Sequence, residues 1–160
     1  MAKRASKEET SGPTLAQHRR ARFDYEILQS HDAGIALLGS EVKSIRTGHA
    51  TLAEGYCRFV NEELWLYNVH IAPYGPAREN HEPTRPRKLL LHRRELNRLR
   101  TAMDEQPRTT VIPLRMHLHN GLIKVEIGLA RGKRTFDKRD AIKTREANRT
   151  MQRAVRQAVR

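Results

Sequence analysis

The strongest constraint on the fold is the pair of apolar runs that meet at Asn120-Gly121, in "TTVIPLRMHLHNGLIKVEIGLA". Asn-Gly between two such runs is the preferred centre of a two-residue hairpin turn, since both positions need positive φ. Two long antiparallel strands follow, and Pro113 places the first of them at an edge or a bulge. A second hairpin is legible in "GYCRFVNEELWLYNVHI", with strands over 56–60 and 64–70. In "FDYEILQ", Phe23, Tyr25 and Ile27 alternate as in a strand, "SHDAG" reads as a turn, and "GIALLG" reads as a further short strand.

Two short helices complete this body. "SEVKSIRTG" has Ser40 as an N-cap candidate, Val42 and Ile45 on one face, and Gly48 as its stop. "LHRRELNRLRTAM" carries Leu96, Leu99 and Met103 at helical spacing with arginines opposite. Between the hairpins lies a proline-rich loop, 72–88. Six short strands in hairpins with accessory helices predict a mostly β domain, a small antiparallel OB-like barrel, with a two-layer α+β sandwich as the alternative.

Charge divides the chain further. Residues 1–22 hold 6 Lys/Arg against 2 Glu, and residues 131–160 hold 11 against 3, which gives +4 and +8. Residues 23–130 carry 14 against 13, so the body is nearly neutral between two basic ends. A formal net charge of +13 points to a polyanionic partner, and nucleic acid is the usual one. The expected organisation is a mobile basic arm over 1–18, a barrel over 19–130, and a basic tail over 131–160. On a helical wheel, Arg145, Arg149, Arg153, Arg156 and Arg160 fall within an arc of about 80°. Ala147, Met151, Ala154, Val155, Ala158 and Val159 fall opposite. Such a helix is amphipathic and basic, with an apolar face too thin to anchor it. It is expected to be disordered alone and helical when bound.

Other chemistries find little support. "GLARGKR" has three residues between its glycines and Arg134 after Lys133, so it is no phosphate-binding P-loop. His117 and His119 share a strand face but lack companion ligands, and they read as exposed or RNA-facing. Cys57 is the lone cysteine, which excludes a disulfide or a cysteine zinc site within one chain. No metal, cofactor or catalytic residue is expected. No apolar run approaches membrane-spanning length and no signal-peptide core begins the chain, so a cytoplasmic protein is expected. In "TRPRKLLLHRREL", Arg85, Arg87, Lys88, Arg93 and Arg94 surround residues 89–91. They suggest a phosphate-contacting rim around an apolar platform, with Leu90 turned outward and Leu89 or Leu91 in the core.

Four stretches then resemble one family: "AGIALLGSEVKSIRTGHATL", "WLYNVHIAPY", "PTRPRKLLLHRREL" and "VEIGLARGKRTFDKRDAIKTRE". They resemble, in order and through nearly the whole chain, the SsrA-binding protein (small protein B, SmpB) family of bacterial trans-translation. The resemblance implies an RNA-binding protein, not an enzyme, that holds the tRNA-like domain of transfer-messenger RNA. It implies delivery of that RNA to stalled ribosomes, with the tail entering the decoding site and messenger channel of the small subunit. Elongation factor Tu and alanyl-tRNA synthetase would be met through the RNA; a monomer with no membrane partner is implied. Carried over by position, Asp32, Leu90 and His92 match RNA contacts. Glu41, Lys43 and Arg46 lie in a matching helix, and Arg19, Arg20 and Arg22 in a matching basic entry segment. Lys124 and Arg134 join the RNA-binding set. Gly132, Lys133, Asp137, Lys138 and Arg139 match the hinge and the start of the tail, where Phe136 would stack on rRNA. The chain departs from the family pattern at His18, Phe23 and Phe136. A ribosomal or rRNA-binding structural protein is the alternative reading, and a metal-dependent RNA-processing enzyme a distant third.

Overall fold

The computed structural model describes residues 12–158. Among the described residues, nine strands and four helices follow one another. They are β1 (Thr14–Gln17), α1 (Ala21–Asp24), β2 (Tyr25–Ile35), α2 (Gly39–Arg46), β3 (Ala50–Thr51), β4 (Tyr56–Val60), β5 (Glu63–Tyr67), β6 (His70–Ile71), β7 (Arg87–Leu90), α3 (Arg93–Glu105), β8 (Thr109–His119), β9 (Leu122–Gly132) and α4 (Thr135–Ala158). Strands β8, β4, β5, β7, β2 and β9 pair antiparallel in that order, and β9 pairs back with β8. The sheet therefore closes on itself as a six-stranded barrel, which removes the edges an open sheet would expose. The expected OB-like barrel is what the chain forms.

The hairpin at Asn120-Gly121 is as the sequence predicts, with φ of 51° and 76° at its two central residues. The register slips between Pro113 and Arg115, so the proline sits at a bulge. Alternation sends Met116, Val125, Ile127 and Leu129 inward to meet Ala33, Leu64, Leu66 and Leu89, all essentially buried. Helix α3 adds Leu99 and Ala102 to this core, and α2 adds Ile45. Cys57 lies in the same core, where burial pushes its thiol well up and keeps it protonated.

Several local expectations are corrected. The stretch read as a turn at 30–34 is the far half of β2, because β9 supplies pairing partners from Tyr25 through Gly34. "GIALLG" leaves the sheet after Ile35. Ser40 does not cap α2. Leu38 holds the cap position, and the Glu41 carboxylate accepts its N–H at 2.8 Å, while Ser40 Oγ bonds His81 Nδ1 at 2.9 Å. The run at 64–70 breaks into β5 and β6 around Asn68, whose φ is 56°. Strand β1 falls inside the segment read as a mobile arm and pairs with β8; residues 1–11 of that arm lie outside the described residues.

The last element differs in kind. Helix α4 is 24 residues long and buries none of them. Phe136, Ile142, Met151 and Val155 are all exposed. Val159 and Arg160 of the wheel lie outside the described residues.

Candidate nucleic-acid interface

The outward faces of β2, β9 and β8 are aligned by register. Asp32, Glu126 and Arg115 form one row across the three strands, and Gly34, Lys124 and His117 form the next. The intervening Ala33, Val125 and Met116 point into the core, which turns both rows away from it; Asp32 and Lys124 reach the surface there, while His117 is covered. Strand β7 then brings Leu90 beside Gly34. A Cβ on Gly34 would sit 3.2 Å from the Leu90 Cβ, so glycine lets the two strands and their side chains close up here.

These elements bound a cleft of about 510 Å³ lined by Asp32, Gly34, Leu90, Leu91, His92, Glu95 and Lys124. Leu90 is 52% exposed, as expected of a platform residue, while Leu89 goes to the core. His92 stands just before α3, and the Glu95 carboxylate accepts its backbone N–H at 3.0 Å. The cleft thus combines a carboxylate, an ammonium, an imidazole and an exposed leucine. Such a surface can accept hydrogen bonds from a base or ribose, pair with a phosphate and stack on a base. Four residues singled out from sequence, Asp32, Leu90, His92 and Lys124, come together here from three distant segments. Leu91, Gly34 and Glu95 were not singled out. Glu95 was findable, since a glutamate three residues after a helix start is the spacing of a capping box.

A second groove, about 340 Å³, is lined by Gln17, His18, Arg19, Ala21, Arg22, Leu114, Arg115 and Glu126. It shares the Asp32–Glu126–Arg115 row with the first, and Arg115 Nε donates to Glu126 Oε2 at 2.5 Å. Arg19 and Arg22 therefore add exposed positive charge next to the cleft. Arg20 stacks its guanidinium 5.7 Å from the Phe23 ring.

Other expected contacts are engaged within the protein. Arg87 and Glu41 are fully buried, which corrects the reading of Arg87 as a rim residue and takes Glu41 out of reach of an RNA. Glu41 Oε1 accepts from Arg85 Nε and Arg87 Nε, both at 2.8 Å, and Oε2 accepts from Arg85 Nη2 at 2.6 Å and from Leu38 N. Arg87 also donates to the Val69 carbonyl at 2.8 Å and the Pro83 carbonyl at 3.0 Å. Burial alone would raise the Glu41 carboxyl, but the bonds from Arg85, Leu38 and Arg87 outweigh it and hold the group below its ordinary value. This set ties the proline-rich loop to α2, so Glu41, Arg85 and Arg87 shape the body. Lys88 pairs with Glu63 and Arg93 with Glu62, both at 2.6 Å. Arg46 Nη2 donates to the Gly121 carbonyl at 3.0 Å, and Lys43 Nζ lies 5.6 Å from the Tyr74 ring centre.

His117 is a further correction. It is fully buried rather than exposed, and neither ring nitrogen has a hydrogen-bond partner among the described residues. His119 is half-buried. No cluster of three or more His, Cys, Asp or Glu among the described residues could hold a metal ion.

The hinge to α4 is anchored on α1. Gly132 pairs with Tyr25, and Lys133 N donates to the Asp24 carbonyl at 3.0 Å. Lys133 Nζ donates to the Arg22 carbonyl at 2.8 Å, and Lys138 Nζ lies 3.3 Å from Asp24 Oδ1. Asp137 Oδ2 accepts the Arg134 N–H at 3.2 Å, at the N-terminal end of α4 where a carboxylate also suits the helix dipole. Phe136, Arg139, Arg145, Arg149, Arg153 and Arg156 are exposed along the helix.

A family model described as "SmpB protein" matches residues 15–157. An SsrA-binding protein of Synechococcus sp. (strain JA-3-3Ab) is 54% identical over 145 residues, covering 89% of this chain and 94% of that protein. The SsrA-binding protein of Thermobifida fusca (strain YX) is 50% identical over 158 residues, 98% of each chain. Among solved structures, a chain from "tmRNA-SmpB: a journey to the center of the bacterial ribosome" matches with a TM-score of 0.63 and 45% identity. The match covers 79% of this chain and 92% of that one.

Proposed function

The chain belongs to the SmpB protein family, and on that premise we propose that it binds transfer-messenger RNA and carries it to stalled ribosomes for trans-translation. The observation that carries the reading is the cleft. Asp32, Leu90, His92 and Lys124 converge there, beside the exposed Arg19 and Arg22. A nearly neutral barrel with one mixed, grooved face suits recognition of a folded RNA by shape, in which a few base and ribose contacts add to phosphate pairing. The tRNA-like domain is the part of the RNA this face would take.

Helix α4 has the opposite character. It presents distributed positive charge on an exposed helix and lends the barrel no buried surface. That suits a ribosomal RNA channel, where counterion release would offset the cost of holding the helix in place. In this reading Phe136 stacks on rRNA near the decoding site and Arg139 pairs with a neighbouring phosphate. Lys138 would first have to leave Asp24. With no face buried against the barrel, the helix frays in the free protein and is held helical only on the ribosome. Elongation factor Tu and alanyl-tRNA synthetase are met through the RNA, and the protein works as a cytoplasmic monomer with no catalytic step of its own. Among the described residues no helix is long and apolar enough to cross a membrane.

The test is binding of a transcript of the tRNA-like domain to the wild type and to Leu90→Ala and Asp32→Asn variants, with bulk rRNA as competitor. Selective binding by the wild type, weakened in both variants, supports the reading. Equal affinity for bulk rRNA would favour a ribosomal structural protein instead.

A further inference from the structure

Beneath the cleft lies a side chain that RNA binding, as described so far, does not use. His117 is fully buried, both ring nitrogens lack a hydrogen-bond partner among the described residues, and its Nε2 lies 3.5 Å from Asp32 Oδ2. Leaving a buried imidazole N–H unpaired costs about 1–3 kcal/mol, so a structure that retains one invites a reason. The Asp32 side chain is 39% exposed and lines the cleft. One of its oxygens thus faces the imidazole across a gap slightly too long for a hydrogen bond, while solvent still reaches the group.

Among the described residues, the titratable groups near this pair lie on four elements, and His92 and Glu95, at the start of α3, share the cleft with Asp32. On β2 the groups are Asp32 itself and His31. On β8 they are Arg115 and His119, and on β9 Lys124 and Glu126. Strand β1 contributes no titratable group. Arg115 pairs with Glu126, while Lys124 lines the cleft with Asp32 and His117 Nε2 stands 3.5 Å from its carboxylate. In the free protein burial lowers the His117 pKa and Asp32 only partly opposes this, so near neutral pH the ring is uncharged.

RNA docking changes this balance. It strips water from Asp32 and brings phosphates toward a carboxylate, and both raise the energy of the ionised pair of anions. Lys124 would be drawn to those phosphates. A proton on the imidazole 3.5 Å away would compensate the carboxylate directly. Resting on the assignment of the cleft to RNA, we propose that His117 is a proton-linked positioning residue for Asp32. On docking it takes one proton from solvent, closes the 3.5 Å gap as an imidazolium donor, and holds the carboxylate toward the bound nucleotide. No bond other than that N–H forms or breaks.

The linkage has a definite sign. A proton taken up on binding makes affinity rise as pH falls. The change reaches about tenfold per pH unit between the His117 pKa of the free protein and the higher one of the complex. The experiment measures Kd for a transcript of the tRNA-like domain from pH 5.5 to 8.5 at fixed salt, with full-length wild type, His117→Gln and Asp32→Asn. His92, His31 and His119 add their own pH dependence, so the reading is the difference between variants. His117→Gln should bind within about twofold of wild type at pH 8.5 and lag it by about tenfold at the acid end, a slope smaller by one proton. Asp32→Asn should bind more weakly throughout and show the same flattened slope. Folding of each variant is checked by thermal melting. In parallel, nitrogen chemical shifts of the His117 ring in the wild type, free and RNA-bound at pH 7, should change from neutral to protonated. A wild-type slope in His117→Gln, or a ring that stays neutral in the complex, overturns the inference. If Asp32→Asn also binds like wild type, the assignment of the cleft fails with it. If Asp32→Asn is weak while His117→Gln keeps the wild-type slope, the proton linkage alone fails.

Discussion

The barrel and helix α4 carry the same kinds of basic residue and use them in opposite ways. In the barrel, positive groups are mostly spent on the protein: Arg87 and Arg85 on Glu41, Arg115 on Glu126, Lys88 on Glu63 and Arg93 on Glu62. In α4, Arg145, Arg149, Arg153 and Arg156 are exposed, on a helix with no buried residue. Paired charges shape a surface, whereas unpaired charges wait for a polyanion. A count of lysines and arginines cannot separate the two, but their burial and partners can.

The largest expected effect breaks the barrel side of this contrast. Arg87→Ala leaves Glu41 buried without one of its donors and should cost about 3–5 kcal/mol, read from denaturant unfolding. Reversing Arg149 to Glu should leave unfolding within about 0.5 kcal/mol, because nothing is buried there. Equal effects would show that the buried pair is not what holds the proline-rich loop to α2.

Acid sharpens the same point. The folded-state pKa of Glu41 lies below its ordinary 4.5. Its contribution to stability is therefore complete above that ordinary value and is lost as pH falls below it, through the folded-state pKa. The wild type should lose stability in this window, and Glu41→Gln should lose less there while starting lower at neutral pH. Acid unfolding curves of the two proteins provide the check.

How much of this was legible from sequence follows the same division. The Asn120-Gly121 hairpin, the bulge at Pro113 and the outward Leu90 rest on local chemistry, and they read directly. The barrel class is legible from the run of hairpins, but the strand pairing that builds it is not, since β2 and β9 join residues as far apart as Tyr25 and Gly132 and no local pattern encodes that. For that reason the far half of β2 was read as a turn: "SHDAG" is polar and contains glycine, and only β9 makes it a strand. Arg87 reads as a rim residue because charged residues are seldom fully buried. Glu41 enters the RNA-binding set only through the family resemblance, and the spacing of His117 and His119 gives their shared face but not how deeply it is covered. Four of the cleft's residues, Asp32, Leu90, His92 and Lys124, were in the sequence-based set, but Gly34, Leu91 and Glu95 and the alignment of β2, β9 and β8 were not.

A smaller effect probes the cleft without touching the core. His92→Ala should weaken binding of the tRNA-like domain by about 1–3 kcal/mol if the ring stacks on a base, and His92→Phe should recover part of it. Both should melt close to wild type, because His92 is exposed and its hydrogen bonds to Glu95 and Leu96 run through its backbone N–H and carbonyl. Binding unchanged in His92→Ala would remove the stacking contact.

The most direct measurement compares the full chain with a chain ending at Asp140, which keeps the contacts of Lys133 and Lys138 with α1. Two quantities are read on both proteins: Kd for the tRNA-like domain across a salt series, and peptide tagging on stalled ribosomes. If the barrel reads the RNA and the helix works only on the ribosome, the truncated chain keeps specific binding at moderate salt. It should lose only a shallow, salt-sensitive share of affinity, with a smaller slope against log salt, and it should fail to tag. Loss of specific binding at moderate salt, or tagging at the wild-type rate, would contradict that division of labour.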